Sequence, residues 1–291
     1  MALTNIVFRG IVVSTCDIKL AATIQLSDKS RIGEYHVLSK SIGFVFAATI
    51  SCIVLLSSSV RAGEFDPVQS AWLGKYAKQK NAPKPEDMLL NTDSEPELTD
   101  GFTPLYNGKD LTGWTPKGGT CKFEAKGELL IGTCVPGSNS TYLSTDKVDY
   151  TDFVFTCDMK WEVDGNSGVM FRAQTKEGKK DVTVFGPQAE MEGITGDRHW
   201  NGGIYGQSCG GYFYPVWLKE HKAARAALDR EGWNRLTISA KGNVVKTWVN
   251  GVPVAHWVDD GTYAKGFFGL QIHKGDKGTV HWKNIRVKEL K

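Results

Sequence analysis

From Gly63 onward this sequence has no net charge. Six of its 35 Lys and Arg and three of its 32 Asp and Glu lie before that residue, leaving 29 of each. The whole-chain excess of +3 therefore belongs to the first 62 residues and gives no reason to expect a nucleic-acid partner, which would need a basic face. Cys-x-x-Cys spacing is missing from the six cysteines, which removes the usual signature of a structural zinc site. Beyond Asp100 there is no internal repeat, no low-complexity block and almost no helical periodicity, so a repeat array or a helical bundle is not expected there. What is present is ample material for a core. With 41% hydrophobic and 11% aromatic residues in 291, the chain is long enough for one large all-β domain or two small ones.

A long uncharged apolar run covers residues 41–59, preceded by Lys40 and followed by Val60-Arg61-Ala62. It reads as a secretory signal cleaved after Ala62; the serines that end it and the small residue at the cleavage site favour removal over retention as a membrane anchor. The residues before it have no coherent period, and residues 1–62 are expected to be an over-extended leader plus signal, with translation starting near Val37 or Leu38. The mature protein is thus expected to be exported, periplasmic or extracellular, with no stable membrane insertion after cleavage. Residues 63–99 are polar and contain prolines. A short helix is expected around Pro67 to Gln79, with Val68, Trp72 and Tyr76 at helical spacing, followed by a linker. The folded domain is placed at residues 100–291.

Four cysteines follow the cleavage point, an even number that permits disulfides in an exported chain. Cys121 and Cys134 flank a hairpin expected to turn near Lys126-Gly127 and could face each other. Cys157 with Cys209 is the remaining pair, and free buried thiols are the alternative.

Within the domain, period-two alternation places Phe153, Phe155, Cys157, Met159 and Trp161 on one face of a strand and Thr156, Asp158, Lys160 and Glu162 on the other. Leu236 to Ala240 repeats the pattern. Val244 to Val249 runs into Asn250-Gly251, a type I′ hairpin signal, then Val252 to Trp257; Phe267 to His273 and Val280 to Leu290 complete the series. Many antiparallel strands with Gly turns indicate an all-β sandwich or jelly roll. One short helical insertion is expected at Lys219 to Asp229, which is Ala-rich and ends before Gly232.

The stretch Gln188-Ala189-Glu190-Met191-Glu192 carries the clearest chemical signal. In a strand, Gln188, Glu190 and Glu192 share one face and Ala189 and Met191 the other. Like charges roughly 7 Å apart along a strand raise each other's pKa, which allows one carboxyl to serve as an acid and the other as a base. An exposed face paired with Lys and Arg of the next strand is the plain alternative. Arg172, Trp248, Gln271 and His273 each sit at strand positions that could join this face, and the loop from Gly196 to Gly206 adds His199, Trp200 and Tyr205. Singly, each has a structural explanation, Arg172 as an ion-pair partner of Asp158, for example. Together they read as a sugar site, because pyranose rings stack on indoles while hydroxyls need polar groups.

Phe102-Thr-Pro-Leu-Tyr-Asn-Gly-Lys-Asp-Leu-Thr-Gly-Trp, Asn166-Ser-Gly-Val-Met-Phe-Arg, Gly186-Pro-Gln-Ala-Glu-Met-Glu, Gly203-Ile-Tyr-Gly, Gly232-Trp-Asn, Trp248-Val-Asn-Gly, Gly269-Leu-Gln-Ile-His and Asn284-Ile-Arg-Val-Lys-Glu-Leu occur in that order. Together they resemble the 3-keto-disaccharide hydrolase family, over about Gly101 to Lys291. The resemblance implies a concanavalin-A-like jelly-roll β-sandwich in an exported protein, and cleavage of a glycoside already oxidised to a ketone at C3. It points at Arg172, Gln188, Glu190, Glu192, Tyr205, Gln271 and His273. The chemistry assigns Glu190 as general base, Glu192 as its partner or the acid, and Arg172 or His273 as stabiliser of the enolate; a divalent metal held by Glu and His is an alternative stabiliser. Oligosaccharides or glycosides are the expected substrates. An ordinary glycosidase of laminarinase-like fold and a non-catalytic glycan-binding module remain as rivals. Gln at position 188, which cannot be a nucleophile, counts against a retaining glycosidase.

Overall fold

The computed structural model describes residues 63–178 and 182–291; the expected leader and apolar run lie outside the described residues. The strands are β1 (Thr103–Pro104), β2 (Trp114–Lys117), β3 (Lys122–Lys126), β4 (Leu129–Thr133), β5 (Thr141–Thr145), β6 (Phe153–Val163), β7 (Ser167–Lys176), β8 (Thr183–Met191), β9 (Ile204–Gln207), β10 (Gly211–Tyr214), β11 (Asn234–Lys241), β12 (Val244–Val249), β13 (Val252–Val258), β14 (Phe267–Ile272) and β15 (Thr279–Glu289). They form two antiparallel sheets of a jelly-roll sandwich. The first runs β13-β12-β11-β6-β15-β4-β3 with β1 added on β15, and the second runs β10-β9-β8-β7-β14-β5-β2.

The alternation in β6 works as expected: Phe153, Phe155, Cys157, Met159 and Trp161 all enter the core. From the opposite sheet, Phe268 meets them, its ring 4.7 Å from both Phe153 and Phe155. Each such aromatic contact adds about 0.5–1.5 kcal/mol beyond the area it buries. At the Asn250-Gly251 turn both residues have positive φ, 52° and 82°, as a type I′ hairpin requires. The insertion is shorter than its alanines suggest: a 3-10 turn at Lys219–His221 leads into a helix at Lys222–Arg225, which stops four residues before Asp229.

The segment read as a helix and linker is strapped along the sandwich. A 3-10 turn over Pro67–Gln69 opens a helix at Ser70–Tyr76. Tyr76 is buried against Tyr212 and Trp217, whereas Val68 is 69% exposed and takes no part in the apolar stripe expected of it. Further along, Asn91 donates to the Thr247 carbonyl, and Glu95 accepts from Arg235 and Thr237. The strap's polar groups thus replace solvent over the outer face of β11 and β12. No helix among the described residues is long and apolar enough to cross a membrane.

Candidate functional site

β8 turns Ala189 and Met191 into the core and Gln188 and Glu190 onto the opposite, polar face of the second sheet. Tyr205 on β9 stands directly opposite Gln188, and Tyr142 on β5 directly opposite Gln271 on β14. Although they face away from the core, Gln188, Glu190 and Glu192 are 0%, 5% and 1% exposed. Arg198, carried by the loop after β8, accounts for much of this. Its Nε donates to Glu192 at 2.6 Å and its Nη2 to Glu190 at 3.2 Å, while its guanidinium lies 4.8 Å from the centre of the Trp200 ring.

The loop that carries Arg198 is itself fastened. Arg230 donates to the carbonyls of Ile194 and Gly196, the latter at 2.7 Å, and the Thr195 hydroxyl donates to Asp164. Glu192 also accepts from the Trp200 amide, and its own amide donates to Asn201. Glu190 has one further donor, Asn166 Nδ2 at 2.5 Å. Burial pushes the Glu190 carboxyl above the ordinary glutamate range, and Arg198 and Asn166 offset this only in part. Burial works against the charge on Arg198, but Glu190 and Glu192 outweigh it and hold that guanidinium firmly protonated. The two carboxylates are held differently: Glu192 takes the shorter bond from Arg198, and Glu190 is shared between Arg198 and Asn166.

A cleft of about 510 Å³ opens on the same face, lined among others by Tyr142, Val184, Gln207 and His273. A recess of about 160 Å³ adjoins Asn166, Glu192 and Arg198. Burial lowers the pKa of His273, and its Nδ1 lies 2.7 Å from the Lys274 carbonyl. Nδ1 must carry the proton to bond that oxygen, which leaves Nε2 as the acceptor. Gln188 Nε2 donates to Gln271 Oε1 at 2.8 Å, and Gln271 Nε2 donates to the Tyr142 hydroxyl at 3.2 Å.

The structure thus gathers Gln188, Glu190, Glu192, Tyr205, Gln271 and His273 on one face. Others named from the sequence fall elsewhere. Arg172 lies in an irregularity of β7 with φ 46°; its guanidinium donates to the carbonyls of Thr151 and Tyr263 and pairs with Asp152, not with Asp158. It is a buried structural clamp with no reach to the carboxylates, and Arg198 occupies the place expected for it. Trp248 belongs to the other sheet, on its outer face, where its Nε1 donates to the Asp93 carbonyl of the strap. Trp200 is buried beneath Arg198 and packs on Tyr76 and Tyr212, so it supports the site without offering a ring face to a sugar. His199 is half-buried in the loop with a left-handed backbone, φ 52°, and is not among the hydrogen-bond partners of either carboxylate. No group of three His, Cys, Asp or Glu among the described residues is arranged to hold a metal, and both carboxylates are committed to Arg198.

Cys121 and Cys134 do face each other at the base of the β3–β4 hairpin as free thiols, and burial together with the neighbouring Cys121 pushes the Cys134 thiol up. Cys157 is sealed in the core and Cys209 sits in the β9–β10 turn beside Tyr263. That pairing is not made.

Arg198, Asn166 and Tyr142 were not singled out in the sequence. Arg198 sits inside the Gly196–Gly206 loop, and a cation within reach of an acidic strand was the available signal. Tyr142 carried none, because its partner Gln271 is 129 positions away.

Residues 101–288 match the family described as the 3-keto-alpha-glucoside-1,2-lyase-like domain. Among solved structures, a Parabacteroides distasonis protein assigned provisionally as a glycosyl hydrolase is 21% identical with a TM-score of 0.47, over 68% of this chain and 100% of its own. A Bacillus subtilis protein of unknown function with a galectin-like fold is 14% identical with a TM-score of 0.49, over 68% of this chain and 98% of its own. A carbohydrate-binding module, also from Bacillus subtilis, is 16% identical with a TM-score of 0.43, over 62% and 97%. No curated protein matches the chain at a significant level.

Proposed function

Since this chain belongs to the 3-keto-alpha-glucoside-1,2-lyase-like domain family and so carries a carbohydrate-active, glycoside-directed domain, we propose that it is an exported enzyme cleaving glycosides that already bear a ketone at C3. The observation that carries this reading is Glu190, a buried carboxyl with a raised pKa on the same polar sheet face as Tyr142 and His273, which line the open cleft. A C3 ketone acidifies the neighbouring C2–H bond. Glu190 as carboxylate removes that proton, and the electron pair forms a C2=C3 enolate. The enolate then collapses to expel the aglycone from C1, whose oxygen takes a proton from water in the cleft. Water adds to the resulting unsaturated sugar at C1 and a proton returns to C2, which leaves the free 3-keto sugar.

Arg198 has a double role in this scheme. Its fixed positive charge limits how far burial raises Glu190, and through its Nε it holds Glu192 in place at 2.6 Å. Glu192 is thereby a positioning residue and not the acid for the leaving oxygen. His273, neutral with Nε2 as acceptor, suits a sugar hydroxyl better than it suits an enolate.

Incubation of the protein and of its Glu190→Gln variant with 3-keto-trehalose or 3-keto-lactose, beside the unoxidised sugars, tests the proposal. Sugar release from the oxidised substrates alone, lost in the variant by about 10²–10⁴-fold, is expected. Equal turnover of the plain disaccharides would make the protein an ordinary glycosidase, and binding of either without turnover would make it a lectin-like module.

A further inference from the structure

We infer that the Tyr142 hydroxyl is a catalytic hydrogen-bond donor, aimed at the C3 oxygen on which negative charge develops when Glu190 removes the C2 proton. This rests on the keto-glycoside reading above. It follows from the direction of a hydrogen-bond chain across the polar face.

The chain begins at Gln188, whose Nε2 donates to Gln271 Oε1. It reaches Gln271 by passing over Gly168 of β7, the residue paired with Glu190 in register. A Cβ at Gly168 would stand 2.6 Å from Gln188 Nε2, so glycine there is what lets the two amides meet. Gln271 is then oriented, with its oxygen accepting and its nitrogen directed at the Tyr142 oxygen. A hydroxyl has one hydrogen. Because Gln271 supplies the hydrogen of their mutual bond, the Tyr142 hydrogen is left for another acceptor, and the Tyr142 side chain lines the 510 Å³ cleft. The other end of the chain is the mirror case: Gln188 Oε1 is buried with an unused acceptor. Polarity therefore runs one way, with a spare acceptor at Gln188 and a spare donor at Tyr142.

Charge placement agrees with this geometry. Burial raises the Tyr142 pKa far above the ordinary tyrosine range, with Gln271 and Ser140 opposing as donors and Glu190 adding to the rise. The phenol accordingly stays protonated and close enough to Glu190 to feel its charge. A 3-keto sugar bound between them offers C2–H to the carboxylate and, one carbon further, its C3 oxygen to the phenol. The donor needs to give up no proton. It stabilises the enolate oxygen while the electron pair from C2–H is on it, and that interaction is stronger with the enolate than with the ketone.

The test uses the full chain with three proteins: wild type, Tyr142→Phe and Gln271→Glu. Loss of an oxyanion donor lowers kcat by about 10²–10³-fold, so Tyr142→Phe is expected to do this on a 3-keto-disaccharide with KM within about threefold. Gln271→Glu is a positioning test. A carboxylate at 271 can only accept, draws the Tyr142 hydrogen to itself, and is expected to lower kcat comparably while KM stays level. Circular dichroism and thermal melting establish that both variants fold. If the wild type cleaves 3-keto-glycosides and Tyr142→Phe stays within threefold of it, the inference is wrong while the keto-glycoside reading stands. If Gln271→Glu is fully active, the chain runs in the opposite sense and Tyr142 already donates to residue 271, which also overturns it. A wild type inert to every 3-keto-glycoside overturns the functional reading and this inference together.

Discussion

Replacing Arg198 with Met probes the centre of the site. The substitution removes the charge that bridges Glu190 and Glu192 and keeps an unbranched stem to cover Trp200. Removing one partner of a buried ion pair leaves the other charge uncompensated, at a cost of about 3–5 kcal/mol. The Arg198 side chain is 22% exposed while the carboxylates are 6% and 2% exposed, so solvent screens part of the interaction and the lower end, about 3 kcal/mol, is expected. For a domain of this size that corresponds to a fall in Tm of roughly 6–12 °C. The loss also has a sign in pH. Without the guanidinium, the folded-state pKa of Glu190 rises still further above its unfolded value. A carboxyl raised in this way destabilises the folded state at pH above that pKa and ceases to do so as pH falls through it. Thermal melts of Arg198→Met and wild type at pH 5 and pH 8 should therefore show the larger gap at pH 8. A variant that melts with the wild type at pH 8, or one whose deficit is the same at both pH values, would refute this reasoning.

Three other outcomes follow from the same geometry. The acidic limb of kcat/KM should report Glu190: because the base must be ionised and burial raises its pKa, activity should rise with pH at values above the ordinary glutamate range, and a limb at or below that range would contradict the assignment. Trp248→Ala should cost about 3–5 kcal/mol in urea unfolding and leave kcat/KM within threefold, since the indole packs under the strap on the far sheet; a selective loss of activity would return it to the site. Mild oxidation should link Cys121 to Cys134 and stabilise the fold by about 3 kcal/mol, the value for a closed loop of that length, with Cys157 resistant to alkylation until unfolding. Peptide mapping that finds Cys157 bonded to Cys209 would overturn the strand placement.

Much of the sandwich was legible because a strand buried on one face writes its period into the sequence. β6 and the Asn250-Gly251 hairpin were both plain for that reason. The same rule placed Gln188 and Glu190 correctly opposite Ala189 and Met191. It failed at Arg172, where an irregularity in β7 breaks the count and a left-handed backbone sends the side chain toward Thr151. At Trp248 the periodicity was right but silent on which sheet owns the strand, and a strap of polar residues that looks like a linker hides the outer face of that sheet. Tyr142 reaches the site through tertiary pairing alone, and no local pattern marks it, whereas Arg198 is marked only by its closeness in sequence to the acidic strand.

Removal of the C2 proton by Glu190 is tested most directly by the initial rate on a 3-keto-glycoside carrying hydrogen or deuterium at C2. A primary isotope effect on kcat/KM is expected, and it should disappear for a substrate deuterated at C1 or C4 instead. Equal rates for the C2-protio and C2-deutero substrates, with release of the aglycone continuing, would mean that the bond to C1 is broken without an enolate and that Glu190 is not a base at C2.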